Sequence, residues 1–282
     1  MESLAGYVLR LADINKITPQ AFANYVWTGF PEEDIRQFGG CLGMEKLREG
    51  GAFRLHPLEA ALRLSRGALY RQTPLPLYYQ FFPGEPEWET LKPFFAKSEF
   101  KVCPKCLRDP DPYYRLIWNL PDVTVCIRHS VYLRSQCPKC EQPLLPLTEQ
   151  SLLGRCTGCR TPLRKAKVVP VREANLQQQR RILADYGWLL ERTERGENGS
   201  CINWRRQLRA VRKARKLSID DVATYLNMPS ETVLGIEEDR AMPPSLPQLL
   251  EWIRYLSGSL QAFYASRDSV REVAYDPQTC TV

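Results

Sequence analysis

A mainly α-helical protein with small β elements of the zinc-ribbon kind is the fold class that this 282-residue sequence predicts. Three observations carry the expectation. Apolar residues recur at helical spacing through the first hundred positions and again after residue 173. Between Cys103 and Cys159, four pairs of metal-ligand residues stand at two-residue spacing: Cys103/Cys106, Cys126/His129, Cys137/Cys140 and Cys156/Cys159. Near the C-terminus, two short helical patterns flank the turn Asn227-Met228-Pro229. The expected organisation is a helical N-terminal domain (1–100), tandem zinc-binding modules (101–170), a connecting helix and linker (171–200) and a helix-turn-helix bundle (201–282).

In Glu2–Lys16, Leu4, Val8, Leu11 and Ala12 share one helical face and Ser3 offers a start. Pro19–Thr28 predicts a second helix with Phe22, Tyr25 and Val26 on one face. Pro57–Leu64 and Arg66–Gln72 then predict two short helices around a tight turn, with Pro57 in a first turn and Pro74 and Pro76 ending the second. That pair resembles a helix-turn-helix, and plain helix packing is the simpler reading.

Two-residue spacing lets two side chains converge on one ion from a tight turn. Eight ligands make two closed four-coordinate sites. Taken in sequence, the first has three cysteines and one histidine across a 19-residue interval, and the second has four cysteines across 15 residues. An interleaved, cross-braced arrangement is the alternative, with the first and third pairs sharing an ion. The echo of Cys137-Pro-Lys-Cys140-Glu-Gln-Pro-Leu in Cys156-Thr-Gly-Cys159-Arg-Thr-Pro-Leu favours consecutive pairing and a zinc ribbon.

Disulfides would need an oxidising compartment. Met1–Ile17 mixes charge with apolar residues and lacks the apolar core of an export signal, so a cytoplasmic protein with reduced thiols is expected. No stretch approaches the roughly 18 apolar residues of a membrane span. Cys41, Cys201 and Cys280 stand alone as ordinary thiols. Closed sites leave no position for water, so two structural zinc ions and no enzyme activity are expected. The chain has two histidines, His56 and His129, and shows no nucleophile elbow, Walker loop or dinucleotide fingerprint.

The net charge of +7 lies in one place. Residues 1–100 hold 11 Lys/Arg against 12 Asp/Glu, 101–170 hold 12 against 5, 171–200 hold 5 against 5 and 201–282 hold 11 against 10. The zinc region therefore carries an electrostatic footprint suited to nucleic acid or an acidic protein surface. Tyr113, Tyr114, Leu116, Ile117 and Trp118, followed by the alternating Val123 and Val125, read as the small core beside a metal site rather than as base-stacking groups.

Glu173–Arg195 predicts a helix with Leu176, Leu183, Tyr186 and Leu190 near one face, ended by a polar, glycine-containing break. A basic helix, Trp204–Lys216, follows. Leu217–Leu226 opens on a Ser cap, and Ser230–Glu237 and a helix through Leu249, Leu250, Ile253 and Leu256 complete the unit. Over about 55 residues this resembles the phage-repressor type of helix-turn-helix. Its second helix is acidic (Glu231, Glu237, Glu238 and Asp239 against Arg240), which disfavours base reading in the major groove. Arg205, Arg206, Arg209, Arg212, Lys213, Arg215 and Lys216 on the first helix are the candidates for contact with a protein partner or a nucleic-acid backbone.

The motifs Cys103-Pro-Lys-Cys106, Tyr113-Tyr114-Arg115-Leu116, Trp118, Val123-Thr124-Val125-Cys126, His129, Leu133 and Cys137-Pro-Lys-Cys140 resemble those of the TniQ family of transposon target-selection proteins, which includes TnsD. Glu2-Ser3-Leu4 through Asn15 is similar to the family's N-terminal helix, and the resemblance covers roughly residues 1–165. It implies a non-catalytic adaptor in bacterial transposition, joining a target-recognition complex to an AAA+ transposition regulator. In CRISPR-associated transposons that complex is an RNA-guided effector with its guide RNA. Target DNA would lie nearby, and a homodimer is also open. The alternatives are a TnsD-like sequence-specific DNA binder, an autonomous transcription regulator and, if the zinc sites interleave, a cross-braced ligase-like enzyme.

Overall fold

Ser3 caps the first helix, α1 (Leu4–Ile14), its side-chain oxygen accepting from the Gly6 N–H at 3.2 Å. The computed structural model describes residues 1–27, 55–82, 93–95, 99–145, 147–148, 151–195 and 203–266. They fall into two units: Met1–Pro76 with Lys97–Gly187, and Leu77–Ala96 with Trp188–Val282. The architecture is mainly helical, with small β elements beside the cysteine clusters. No helix among the described residues is long and apolar enough to cross a membrane. Cys41, Cys201 and Cys280 lie outside the described residues.

In the first unit, α1 turns Leu4, Ala5, Val8, Leu9 and Ala12 inward. α2 (Pro19–Trp27) adds Phe22, whereas Tyr25 is exposed and does not share the buried face expected of it. α3 (His56–Ala61) ends three residues early, where Arg63 adopts a left-handed conformation. The expected helix over 66–72 does not form. Gly67 takes φ +84°, incompatible with a right-handed helix, and only Tyr70–Gln72 close a 3-10 turn. The buried Glu59 carboxylate fixes this turn by accepting from the Gly67 and Leu69 N–H groups, each at 2.9 Å. Pro74 and Pro76 do not end a helix either: α4 (Leu75–Tyr79) begins between them.

These helices share their core with the cysteine region. Leu4, Val8, Leu9, Leu58 and Leu69 belong to one buried cluster with Cys137, Leu144, Leu147, Cys156 and Leu163. Tyr114 joins it, its ring edge-on to Phe100 at 4.8 Å and its hydroxyl accepting from the Gly154 N–H at 2.8 Å. Burial pushes its phenol up to about 12.

The long helix α5 (Glu173–Glu194) turns Leu176, Ile182, Tyr186, Leu189 and Leu190 inward. In the second unit, α6 (Trp204–Ala214) starts on an Asn203 cap. α7 (Ile219–Leu226) starts on a capping box, in which Ser218 and Asp221 satisfy each other's backbone N–H. Asn227 in the left-handed region stops α7 and lets the chain turn into α8 (Ser230–Glu237). α9 (Leu246–Ser257) and α10 (Leu260–Ala265) complete the unit. Its core holds Val222, Val233, Ile236, Leu249, Trp252, Ile253 and Phe263, all nearly or fully buried. Gly235 lets α8 approach Ala241, since a Cβ there would lie 3.1 Å from the Ala241 Cβ.

Candidate metal centres

The first cluster is built from two short pieces. Cys103 and Cys106 flank a tight turn that runs into the 3-10 turn Cys106–Arg108. Cys126 and His129 sit on a hairpin whose strands, β1 (Val125–Cys126) and β2 (Val131–Tyr132), pair antiparallel, Val125 opposite Tyr132. A bridge between Val102 and Arg134 ties the two pieces together. The ligand atoms converge: His129 Nδ1 lies 3.6, 3.3 and 3.7 Å from the sulfurs of Cys103, Cys106 and Cys126. The Cys106 and Cys126 sulfurs are 3.7 Å apart. Trp118 and Val131 close the cluster's own small core. Tyr114 and Trp118 are thus core groups, as the sequence predicts, whereas Tyr113 is only half-buried, with Arg115 over its ring.

The second cluster repeats one knuckle at an offset of 19 residues. Cys137 N–H donates to the Gln142 carbonyl (2.9 Å), and Cys156 N–H to the Thr161 carbonyl (3.0 Å). Glu141 N–H returns to Cys137 (3.1 Å), and Arg160 N–H to Cys156 (3.0 Å). Single bridges, Gln136 with Pro143 and Arg155 with Pro162, stand where the small β elements of a ribbon were expected. The Cys137–Cys159 and Cys140–Cys156 sulfurs lie 3.5 and 3.7 Å apart.

In each quartet all ligand atoms lie within 4.8 Å of one another. A tetrahedral ion about 2.3 Å from each sulfur requires sulfurs about 3.8 Å apart, so both clusters could hold a metal ion. The quartets are consecutive, and the structure does not adopt the interleaved alternative. Protons compete within the first. Hydrogen bonds from Cys106 and then Cys126 hold the Cys103 thiol down at about 2, while those with Cys103 and then Cys126 push Cys106 up. A central cation relieves that competition by taking all three sulfurs as thiolates. In the second cluster the Thr161 hydroxyl, 3.1 Å from the Cys159 sulfur, lowers that thiol to about 6.

The backbone after three of the four pairs is left-handed: Ser130 (φ 51°), Glu141 (φ 58°) and Arg160 (φ 60°). Within the third pair, ahead of that turn, the Lys139 N–H points back to the Cys137 sulfur at 3.4 Å. The first pair instead continues into its 3-10 turn.

One positioning residue went unpredicted. Gln179, buried on the inner face of α5, accepts from Thr124 N–H (2.9 Å) and Val125 N–H (3.2 Å) and donates to the Asp122 carbonyl (2.8 Å). Tyr186 donates to the Asp122 carboxylate at 2.6 Å. α5 thereby fixes the strand that ends in Cys126. A polar Gln amid apolar helix positions was the available signal.

The family model of the TniQ domain matches residues 1–133. That stretch is similar to a TniQ domain. The match includes the first quartet in full and stops short of Cys137. A TniQ domain implies a transposition-associated role of the target-selection or adaptor kind. No curated protein matches the chain.

The basic candidates on and just after α6, which ends at Ala214 rather than at the expected Lys216, divide in two. Arg206, Arg209, Lys213, Arg215 and Lys216 are exposed. Arg205 and Arg212 are buried. Arg205 donates to the Ile236 and Ala241 carbonyls (2.9 and 3.1 Å) and pairs with Asp239 at 2.9 Å. Arg212 grips the Glu237 carboxylate with two bonds of 2.8 and 2.7 Å. Glu238 pairs with Arg240. Three of the four acids on and after α8 are therefore neutralised within the unit, which removes most of the repulsion expected between that helix and phosphate.

Proposed function

We propose that this protein is a non-catalytic adaptor in bacterial DNA transposition, joining a target-recognition complex to the AAA+ transposition regulator. The recognition complex in this reading is an RNA-guided CRISPR effector with its guide RNA. The observation that carries it is the TniQ match over residues 1–133.

The chemistry of the clusters supports it. Each quartet is a closed N/S donor set suited to zinc, with no position left for water or substrate. Two structural zinc ions, held by Cys103, Cys106, Cys126 and His129 and by Cys137, Cys140, Cys156 and Cys159, would supply folding free energy on the order of 10 kcal/mol each. In this reading residues 1–100 and 101–170 form the adaptor's body. Residues 171–200 connect it to 201–282, a repressor-type helix-turn-helix.

That last module now supports backbone contact with DNA better than its acid count suggested. Glu237, Asp239 and Glu238 are each paired with an arginine, and five cations on and just after α6 remain exposed. A TnsD-like DNA-binding target selector is therefore the second reading.

The test is co-purification of the full chain with the effector complex and with the ATPase. Retention of both is the expected result. Failure to bind either, with nanomolar binding to one DNA site, would replace the adaptor reading with the TnsD-like one.

A further inference from the structure

The folding of the first unit gathers cations from three distant segments onto one ridge. The 3-10 turn Cys106–Arg108, after the first ligand pair, packs on the 3-10 turn Leu163–Lys165, after the last. Arg108 Nε donates to the Arg164 carbonyl at 2.9 Å. Arg134, held beside Val102 by a β-bridge, donates through Nη2 to the Lys167 carbonyl at 2.8 Å. Lys105, Arg108, Arg134, Arg164, Lys165 and Lys167 are thereby brought together. None of the six forms an ion pair among the described residues. The nearby Asp109 is taken by Arg128 at 2.7 Å.

Such a concentration of like charge is unfavourable in the isolated protein and becomes favourable against a polyanion. Two of the guanidinium groups are tethered by backbone carbonyls, so less side-chain freedom is lost on binding. The apolar residues interleaved with the cations, Leu107, Leu163 and Ala166, are all buried. The ridge consequently lacks the apolar centre that a protein interface uses, and its exposed groups are the donors that phosphate takes. We infer that the Lys105–Arg108, Arg134 and Arg164–Lys167 ridge is a binding site for a nucleic-acid phosphodiester backbone, without base reading. This site does not depend on the adaptor reading: it holds or fails on nucleic acid alone, whatever proteins the chain binds.

The experiment measures binding of the full chain to random-sequence duplex DNA, to single-stranded RNA of the same length and to polyglutamate of matched charge, each across a salt series. Each phosphate contact contributes about 0.9 to the slope of log affinity against log salt for a duplex and about 0.7 for a single strand. The triple variant Arg164→Gln/Lys165→Gln/Lys167→Gln touches no metal ligand. Its slope is expected to be shallower by up to about 2.7 on duplex, or about 2.1 on RNA, and the arm that loses the larger share of its own maximum identifies the natural strand. The charge-preserving Arg164→Lys/Lys165→Arg/Lys167→Arg is expected to keep the original slope. An unchanged slope on both nucleic acids in the Gln variant overturns the inference. So does polyglutamate binding as tight as nucleic acid, which would assign the ridge to an acidic protein. If only an Arg206→Gln/Arg209→Gln/Lys213→Gln variant of α6 lost affinity, the site would belong to the second unit.

Discussion

The Arg212–Glu237 pair ties α6 to the end of α8, and its removal is the most quantitative test of the second unit. The Glu237 side chain is fully buried and accepts both of its charged bonds from Arg212, which also donates to the Leu217 carbonyl at 2.9 Å. Replacing Glu237 with Ala leaves a guanidinium 9% exposed with no counter-charge. Breaking such a pair from one side costs about 3–5 kcal/mol. Arg212→Met should cost the same from the other side. The double variant Arg212→Met/Glu237→Leu removes both charges, and buried pairs so replaced are typically neutral or more stable. The orphaned Leu217 carbonyl then leaves a residual cost of about 1 kcal/mol. Hydrogen exchange on the full chain reads the difference. Protection in α6 and α8 should fall by about 10²- to 10⁴-fold in each single variant and recover in the double, with α1 unchanged. Single variants costing under about 1 kcal/mol, or a double no better than either single, would refute the reasoning.

Cys103→Ser should remove one zinc per chain by metal analysis and leave the ion of the second quartet resistant to chelator; loss of protection at the Cys137 knuckle alone would revive the interleaved pairing. Gln179→Leu leaves the N–H groups of Thr124 and Val125 unsatisfied, at about 1–3 kcal/mol each. It should speed chelator release from the first centre about tenfold while the second is unaffected; equal acceleration of both would mean general unfolding. The Ser218 hydroxyl and N–H hold the Asp221 carboxyl below its ordinary value. Because the folded value is depressed, the stability it contributes is present above the ordinary carboxylate range and lost as pH falls through the depressed value. Between about pH 5 and about pH 2 the second unit of the natural chain should therefore lose more melting temperature than Asp221→Asn, and parallel curves would exclude the linkage.

Local features were legible in the sequence and paired charges were not. The knuckles could be read because both ligands of a pair and the turn between them lie within a few residues, and because Cys137–Leu144 is echoed 19 residues later. Helix starts at Ser3 and Ser218 were legible for the same reason. Arg205 and Arg212 looked like part of a basic stripe. Their carboxylate partners lie 34 and 25 residues downstream, and only the crossing of α6 with α8 brings them into reach. The missed turn at 66–69 has a related cause. Glu59 looked like one more surface acid, yet its buried carboxylate serves backbone donors eight and ten residues away.

The core shared by α1 and the second quartet has a consequence for cutting this protein apart. The TniQ match ends at residue 133, between a hairpin and the knuckle that follows. A fragment trimmed there would keep Leu4, Val8 and Leu9 but lose Leu144, Leu147 and Leu163 of the same buried cluster. What sequence comparison recognises as a domain is thus less than the core it belongs to. The buried cluster that contains the inner face of α1 also contains Cys137 and Cys156, some 130 residues or more later in the chain, and a chelator that never touches the N-terminus should loosen that helix.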